Sequence, residues 1–159
     1  MHNVFILLGS NMGKRKNFLS KAKLLIAKEA GTIARQSSIY ETAAWGNTSQ
    51  QAFLNQVIIL KTKLQPDALM QTLLNIEEQL GRIRTQKFGP RTIDLDILFY
   101  DTLVVKTNLV TIPHPAIQYR RFVLVPLVEL SPRKIHPVYE QTVTSLLKKC
   151  SDHLAVKQL

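Results

Sequence analysis

Cysteine is almost absent from this chain. Cys150 stands alone among 159 residues, which excludes an internal disulfide framework and a zinc site built on cysteines. No apolar run approaches the ~20 residues that a membrane-spanning helix needs. The first apolar stretch, Val4 to Leu8, is too short for a signal-peptide core. It runs into Gly9-Ser10-Asn11 without the small-residue pattern of a cleavage site, so the expected compartment is the cytoplasm. Repeats, low-complexity tracts and linkers are missing too, and one domain over residues 1–159 is expected, acting as a monomer. Acidic residues are scarce: 11 Asp and Glu face 21 Lys and Arg, a net charge of +10. Such an excess suits an anionic partner, whether nucleic acid, an anionic membrane or a phosphorylated small molecule.

What is present reads as a globular α+β chain, with 45% hydrophobic and 20% charged residues. Val4–Leu8 is a central strand. Phe18, Leu19, Ala22, Leu25 and Ile26 fall at helical spacing between Lys14 and Ala30, and Gly31 stops that helix. Strands are expected over Ile33–Thr42 and Phe53–Thr62. Pro66 opens a second helix with a Leu69, Leu73, Ile76, Leu80 stripe. A strand over Ile93–Tyr100 follows, with Leu103–Val105 as its hairpin partner. Short elements complete the chain: a strand at Leu109–Ile112, a helical turn at Ala116–Arg121 and a helix at Val143–Cys150. The order βαββαβ is the ferredoxin-like arrangement, an antiparallel sheet with helices on one face, here with a C-terminal extension.

Asp94-Leu95-Asp96 is the sharpest local feature. Residues i and i+2 of a strand share a face, so the two carboxylates stand together while Ile93, Leu95, Ile97 and Phe99 point to the core. Adjacent carboxylates raise each other's pKa unless a cation lies between them, and magnesium is the hard, oxygen-seeking choice. Gly89-Pro90-Arg91 precedes the pair, and Arg82, Arg84 and Lys87 lie just upstream. Carboxylates for a metal and arginines for phosphate oxygens are the two halves of a phosphoryl-transfer site. His114 sits between Pro113 and Pro115, shortly before Arg120 and Arg121, and could face an anion. Phe53 and Asn55 share a strand face and suit a flat heterocycle, the ring stacked and its polar edge read by an amide. Phe122 and Trp45 are further aromatic candidates. Gly9 to Lys14 invites comparison with a P-loop but is one residue short between the glycines, and Arg15 stands where Ser or Thr belongs. An RNA-binding domain would suit the fold and the charge. Its aromatic fingerprint is missing, and paired aspartates would repel a phosphate backbone, so no nucleic-acid or membrane partner is expected.

The run Lys87-Phe88-Gly89-Pro90-Arg91-Thr92-Ile93-Asp94-Leu95-Asp96-Ile97-Leu98 resembles the signature of the 6-hydroxymethyl-7,8-dihydropterin pyrophosphokinases of folate biosynthesis. Further stretches match in order: Leu8-Gly9-Ser10-Asn11, Tyr40-Glu41-Thr42, Phe53-Leu54-Asn55, Glu77 with Gly81-Arg82 and Arg84, Pro113-His114-Pro115, and Arg121-Phe122-Val123-Leu124. The resemblance implies transfer of pyrophosphate from ATP to the pterin hydroxymethyl group. It implies two magnesium ions on Asp94 and Asp96, with Arg82, Arg84 and Arg91 as catalytic cations. Glu77, Arg84, Phe88, Arg91, Ile97, Thr111, His114 and Arg120 fall to the ATP side, Ile97 and Thr111 through their backbone. Thr42, Ala43, Trp45, Phe53, Asn55, Asp94 and Phe122 fall to the pterin side. The chain departs from the family at Phe88, where tryptophan is familiar, and at Phe53, where tyrosine is common. It also departs at Ala43-Ala44-Trp45, where a proline is usual, and at Leu74, often a glutamine. The segments Ala43–Gln51 and Arg82–Pro90 are expected to be lids that close over the substrates.

Overall fold

The computed structural model describes residues 1–43, 50–83 and 90–159. Eight strands and four α-helices follow in the order β1 (His2–Ser10), α1 (Arg15–Glu29), β2 (Thr32–Gln36), β3 (Tyr40–Thr42), β4 (Phe53–Thr62), α2 (Pro66–Gln79), β5 (Asp94–Tyr100), β6 (Val105–Lys106), β7 (Thr111–Ile112), a 3₁₀ turn (Ile117–Tyr119), α3 (Arg121–Leu130), α4 (Val143–Lys149) and β8 (Val156–Gln158). The main sheet runs β5-β1-β4-β3-β8, with β2 also on β4, and its pairings are antiparallel. The βαββαβ core expected from the sequence is therefore present.

Helices cover both faces, not one. On the first face, α1 contributes Leu19, Ala22 and Ile26, and α2 contributes Leu69, Leu73 and Ile76, against Val4, Ile6, Leu8, Ile58 and Leu60 of the sheet. Pro66 occupies the first turn of α2, where its missing N–H costs nothing, and Asp67 beside it suits the positive end of the helix. Between α1 and β2 the chain passes so close to β4 that a Cβ on Gly31 would lie 2.2 Å from the Lys61 carbonyl oxygen. Only glycine fits that approach. On the second face, Val123, Leu124, Leu127 and Leu130 of α3 and Val143 and Leu146 of α4 pack on Phe5, Leu7, Val57, Leu98 and Phe99.

Several sequence expectations shift. The Ile33–Thr42 strand is broken into β2 and β3 at Ser37, whose hydroxyl accepts from Val57 N–H at 3.0 Å and donates to the Ser38 carbonyl at 2.7 Å. The segment Val105–Lys106 pairs with Thr111–Ile112 and not with β5. Phe99 faces the second core, because the β1–β5 register jumps between Phe5↔Phe99 and Ile6↔Ile97 and leaves Leu98 as an extra residue. Ile93, Leu95 and Ile97 do face the first core. Helix α3 and strand β8 were not anticipated; β8 extends the sheet by pairing with β3.

Candidate active site

Strand register assembles the site. Gly9 of β1 lies between Asp94 of β5 and Asn55 of β4, and Leu7 lies between Asp96 and Val57. On the next strand Tyr40 opposes Asn55 and Thr42 opposes Phe53. Alternation then puts Asp94, Asp96, Leu7, Gly9, Phe53, Asn55 and Thr42 on one face, the face that α3 and α4 cover further along. The helical cover stops short of this end. A pocket opens there, walled by those seven residues with Ala43, Arg91, Arg120 and Phe122. Gly9 forms part of its floor: a Cβ there would sit 2.9 Å from Asn55 Oδ1 and 3.5 Å from the Phe53 ring.

Polar and aromatic groups divide the pocket. Asn55 and Thr42 are buried, and the Asn55 amide donates to Thr42 Oγ1 at 3.2 Å. Phe122 stands in the first turn of α3. That helix start is held by the Asp152 carboxylate, which accepts from Arg121 N–H at 3.0 Å. A guanidinium lies over each ring: Arg91 is 5.5 Å from the Phe53 centroid and Arg120 is 5.8 Å from that of Phe122.

The two aspartates sit in opposite electrostatic settings. Asp94 Oδ1 accepts from Arg82 at 2.6 Å, and Oδ2 accepts from Arg91 at 3.1 Å. Burial works to raise its pKa, but the two guanidiniums outweigh it and hold the carboxyl below the usual range. Asp96, two residues on, is pushed up to about 8, first by burial and then by the charges of Asp94 and Glu77, with Arg120 and Arg82 opposing. A carboxylate pair with one member starved of positive charge fits a hard cation. Among the described residues no cluster of three or more His, Cys, Asp or Glu forms a metal cage. Two carboxylates alone suit magnesium, which keeps waters and substrate phosphate oxygens in the rest of its shell.

Other predicted residues take distinct places. Glu77 is 2% exposed and stands behind the pocket. Its Oε2 accepts from Leu95 N–H at 2.8 Å and its Oε1 from Arg82 at 3.4 Å, so it orients β5 and Arg82. The Ile97 side chain is core. Thr111 and His114 line a neighbouring hollow with Pro113, Pro115, Gln118, His136, Val138 and Tyr139. His114 Nδ1 accepts from Ala116 N–H at 3.1 Å. Burial, with Arg120 adding to it and Asp94 opposing, lowers its pKa to about 4. The imidazole is therefore neutral near pH 7 with its proton on Nε2, a donor ready for an anion. Arg84, Phe88 and Trp45, and most of both expected lids, lie outside the described residues. Leu7 and Gly9 were not anticipated as pocket walls. Their parity along β1 relative to Asp94 and Asp96 was the available signal.

Comparison with known proteins shows the family. The family profile described as 7,8-dihydro-6-hydroxymethylpterin-pyrophosphokinase matches residues 5–132. A 2-amino-4-hydroxy-6-hydroxymethyldihydropteridine pyrophosphokinase of Aquifex aeolicus is 40% identical over 141 residues, covering 89% of this chain and 88% of the relative. One of Bacillus subtilis is 42% identical over 132 residues, covering 82% and 79%. Among solved structures, the wild-type HPPK-DHPS of Plasmodium falciparum with pteroate superposes with a TM-score of 0.77 at 17% identity. That match covers 93% of this chain but 42% of the larger protein, and it speaks for the fold. The chain thus belongs to the 7,8-dihydro-6-hydroxymethylpterin-pyrophosphokinase family.

Proposed function

We propose that this chain transfers the pyrophosphoryl group of ATP to the hydroxymethyl oxygen of 6-hydroxymethyl-7,8-dihydropterin, a step of folate synthesis, with the residues of the pocket at the end of β5. The hydroxymethyl oxygen bonds to the β-phosphorus, the bond from that phosphorus to the oxygen of the α-phosphate breaks, and AMP leaves with that oxygen. The hydroxyl proton passes to solvent. The carrying observation is convergence: two carboxylates, two guanidiniums and two aromatic rings from three separate segments meet in one pocket.

Phe53 and Phe122 offer two aromatic walls for the pterin, while Asn55 and Thr42 supply the amide and hydroxyl that read its polar edge. Arg91 and Arg120 face phosphate oxygens, and His114 donates from Nε2 on the nucleotide side. Asp94 and Asp96 would hold two magnesium ions. When bound, these neutralise the triphosphate and lower the pKa of the attacking hydroxyl. The remaining contribution of the chain is placement, which phosphoryl transfer rewards more than it rewards a strong base. Arg82, anchored by Glu77 and the Ile93 carbonyl at 3.2 Å, keeps Asp94 ionised and aimed.

The test is direct. Incubated with ATP, magnesium and the dihydropterin, the chain should form AMP and the pterin diphosphate in equal amounts. AMP formation that does not depend on the pterin would overturn the assignment.

A further inference from the structure

Asn11 follows β1, in the turn that ends the Leu8-Gly9-Ser10-Asn11 stretch, and it does not line the pocket. Its environment is nonetheless unusual for a turn. Asn11 is 2% exposed, and its polar atoms reach two segments remote in sequence. Its Oδ1 accepts from Arg91 N–H at 2.9 Å, and its own N–H donates to the Arg91 carbonyl at 3.2 Å. Its Nδ2 donates to Gln50 Oε1 at 2.8 Å and to the Gln51 carbonyl at 3.2 Å. The amide can point only one way. An N–H faces its oxygen and a carbonyl faces its nitrogen, so each side independently requires this orientation.

These two segments carry the two halves of the site. Arg91 sends its guanidinium to Asp94 and over the Phe53 ring. Gln50 and Gln51 lead directly into β4, whose first residues include Phe53 and Asn55. One buried side chain therefore holds the backbone of the phosphate-side arginine and the approach to the pterin-side ring. It fixes the distance between them from behind.

We propose that Asn11 is a positioning residue that sets the spacing between the phosphate-binding arginine and the pterin-stacking ring. The proposal rests on the pyrophosphoryl-transfer reading above. A misplacement of about 1 Å at such a site costs roughly 10²-fold in rate. Removing the buried amide adds to that cost through the loss of its hydrogen bonds to Arg91 N–H, Gln50 and the Gln51 carbonyl.

Two variants separate the two sides. Asn11→Ala removes both links. Asn11→Asp keeps an oxygen for Arg91 N–H but sets a second oxygen against the Gln51 carbonyl. Steady-state kinetics with magnesium-ATP and the dihydropterin are measured alongside thermal unfolding, and rates are scaled to folded protein. Asn11→Ala should lose about 10- to 100-fold in kcat, more than its KM values change. Asn11→Asp should raise the pterin KM about tenfold and leave the ATP KM within about twofold, because only the β4 side is disturbed. The proposal is overturned if the parent chain is active and Asn11→Ala matches its kcat within about twofold after scaling, or if Asn11→Asp changes both KM values equally. A parent chain that forms no pterin-dependent AMP would overturn the reaction itself, and this role with it.

Discussion

The two faces of the main sheet obey the same alternation and end differently. The face under α1 and α2 is sealed along the strands from Val4 to Leu8 and from Ile93 to Ile97. The face under α3 and α4 is sealed only over Phe5, Leu7, Val57, Leu98 and Phe99, and beyond them it opens as the pocket. Strand β5 belongs to both regimes: Leu98 and Phe99 lie beneath helix, whereas Asp94 and Asp96 lie past its edge. Polar groups are affordable on a strand where the cover stops, and the chemistry of the chain is concentrated there.

The largest effect should come from the open end. With Asp96 in its proposed role of magnesium ligand, Asp96→Ala should lower turnover by roughly 10³-fold or more, since losing that ligand would remove several kcal/mol of charge stabilisation. Asp94→Ala should lower it as much, but with a second consequence. It strips Arg82 and Arg91 of the carboxylate they share, and breaking a half-buried pair of this kind costs on the order of 1–3 kcal/mol. Urea unfolding of both variants checks the contrast: Asp94→Ala should be clearly destabilised and Asp96→Ala should not. Equal stability of the two, or near-normal turnover in either, would contradict the arrangement.

A change on the sealed face should do the reverse. Leu73 is fully buried between α2 and the sheet. Leu73→Ala should cost about 2–5 kcal/mol of stability through lost contacts and the cavity left behind. Turnover per folded molecule should stay within about twofold of the parent, because Leu73 does not line the pocket. Strong loss of activity in still-folded Leu73→Ala would show that the two faces are coupled.

Phe122 lies at the boundary, packed against the second core and lining the pocket. Phe122→Ala should weaken pterin binding by about 1–3 kcal/mol, more than stacking alone, because buried aromatic area is lost too. Magnesium-ATP affinity should change much less. Calorimetry on the folded variant decides: equal losses for both ligands would make Phe122 a core residue only.

How much of this was legible in the sequence also divides by face. Periodicity located α2 and β4, because Pro66 opens one and an uninterrupted β-rich run forms the other. The Asp94–Asp96 pairing followed from the two-residue repeat of a strand. Helix α3 escaped because Pro126 sits inside its apolar stretch, and proline argues against a helix interior. The turning of Phe99 escaped because one extra residue, Leu98, reverses parity without any marker in composition. The break at Ser37 rests on a side chain bonding to a distant backbone, and so does the role of Asn11. Glu77 read as an ATP-side residue by resemblance; its contact to Leu95 N–H requires β5 to be docked on α2. Local pattern shows faces and elements, while long-range polar bonds become visible only in the fold.

The smallest and most specific effect concerns protons. Folded Asp96 is pushed up to about 8, whereas an unfolded aspartate titrates near ~4. The folded chain therefore keeps a proton that the unfolded chain has lost, and stability should fall as pH rises from about 4 through about 8. His114 acts with the opposite sign. Its folded pKa is lowered to about 4, so stability is lost as pH falls from about 6.5 towards that value. Measurements between about pH 7 and 9 lie above the His114 window, and comparison with Asp96→Asn isolates Asp96 there. There the urea midpoint of the metal-free chain should decline with pH, and Asp96→Asn, which cannot ionise, should flatten that decline. Magnesium should couple to the same proton, since only the ionised carboxylate binds it. Calorimetry in buffers of different ionisation enthalpy should register close to one proton released at pH 7 when magnesium binds with a non-hydrolysable ATP analogue, and far less at pH 9. A parent whose pH profile coincides with that of Asp96→Asn would show Asp96 already ionised at neutral pH, and the contrast between the two aspartates would fall.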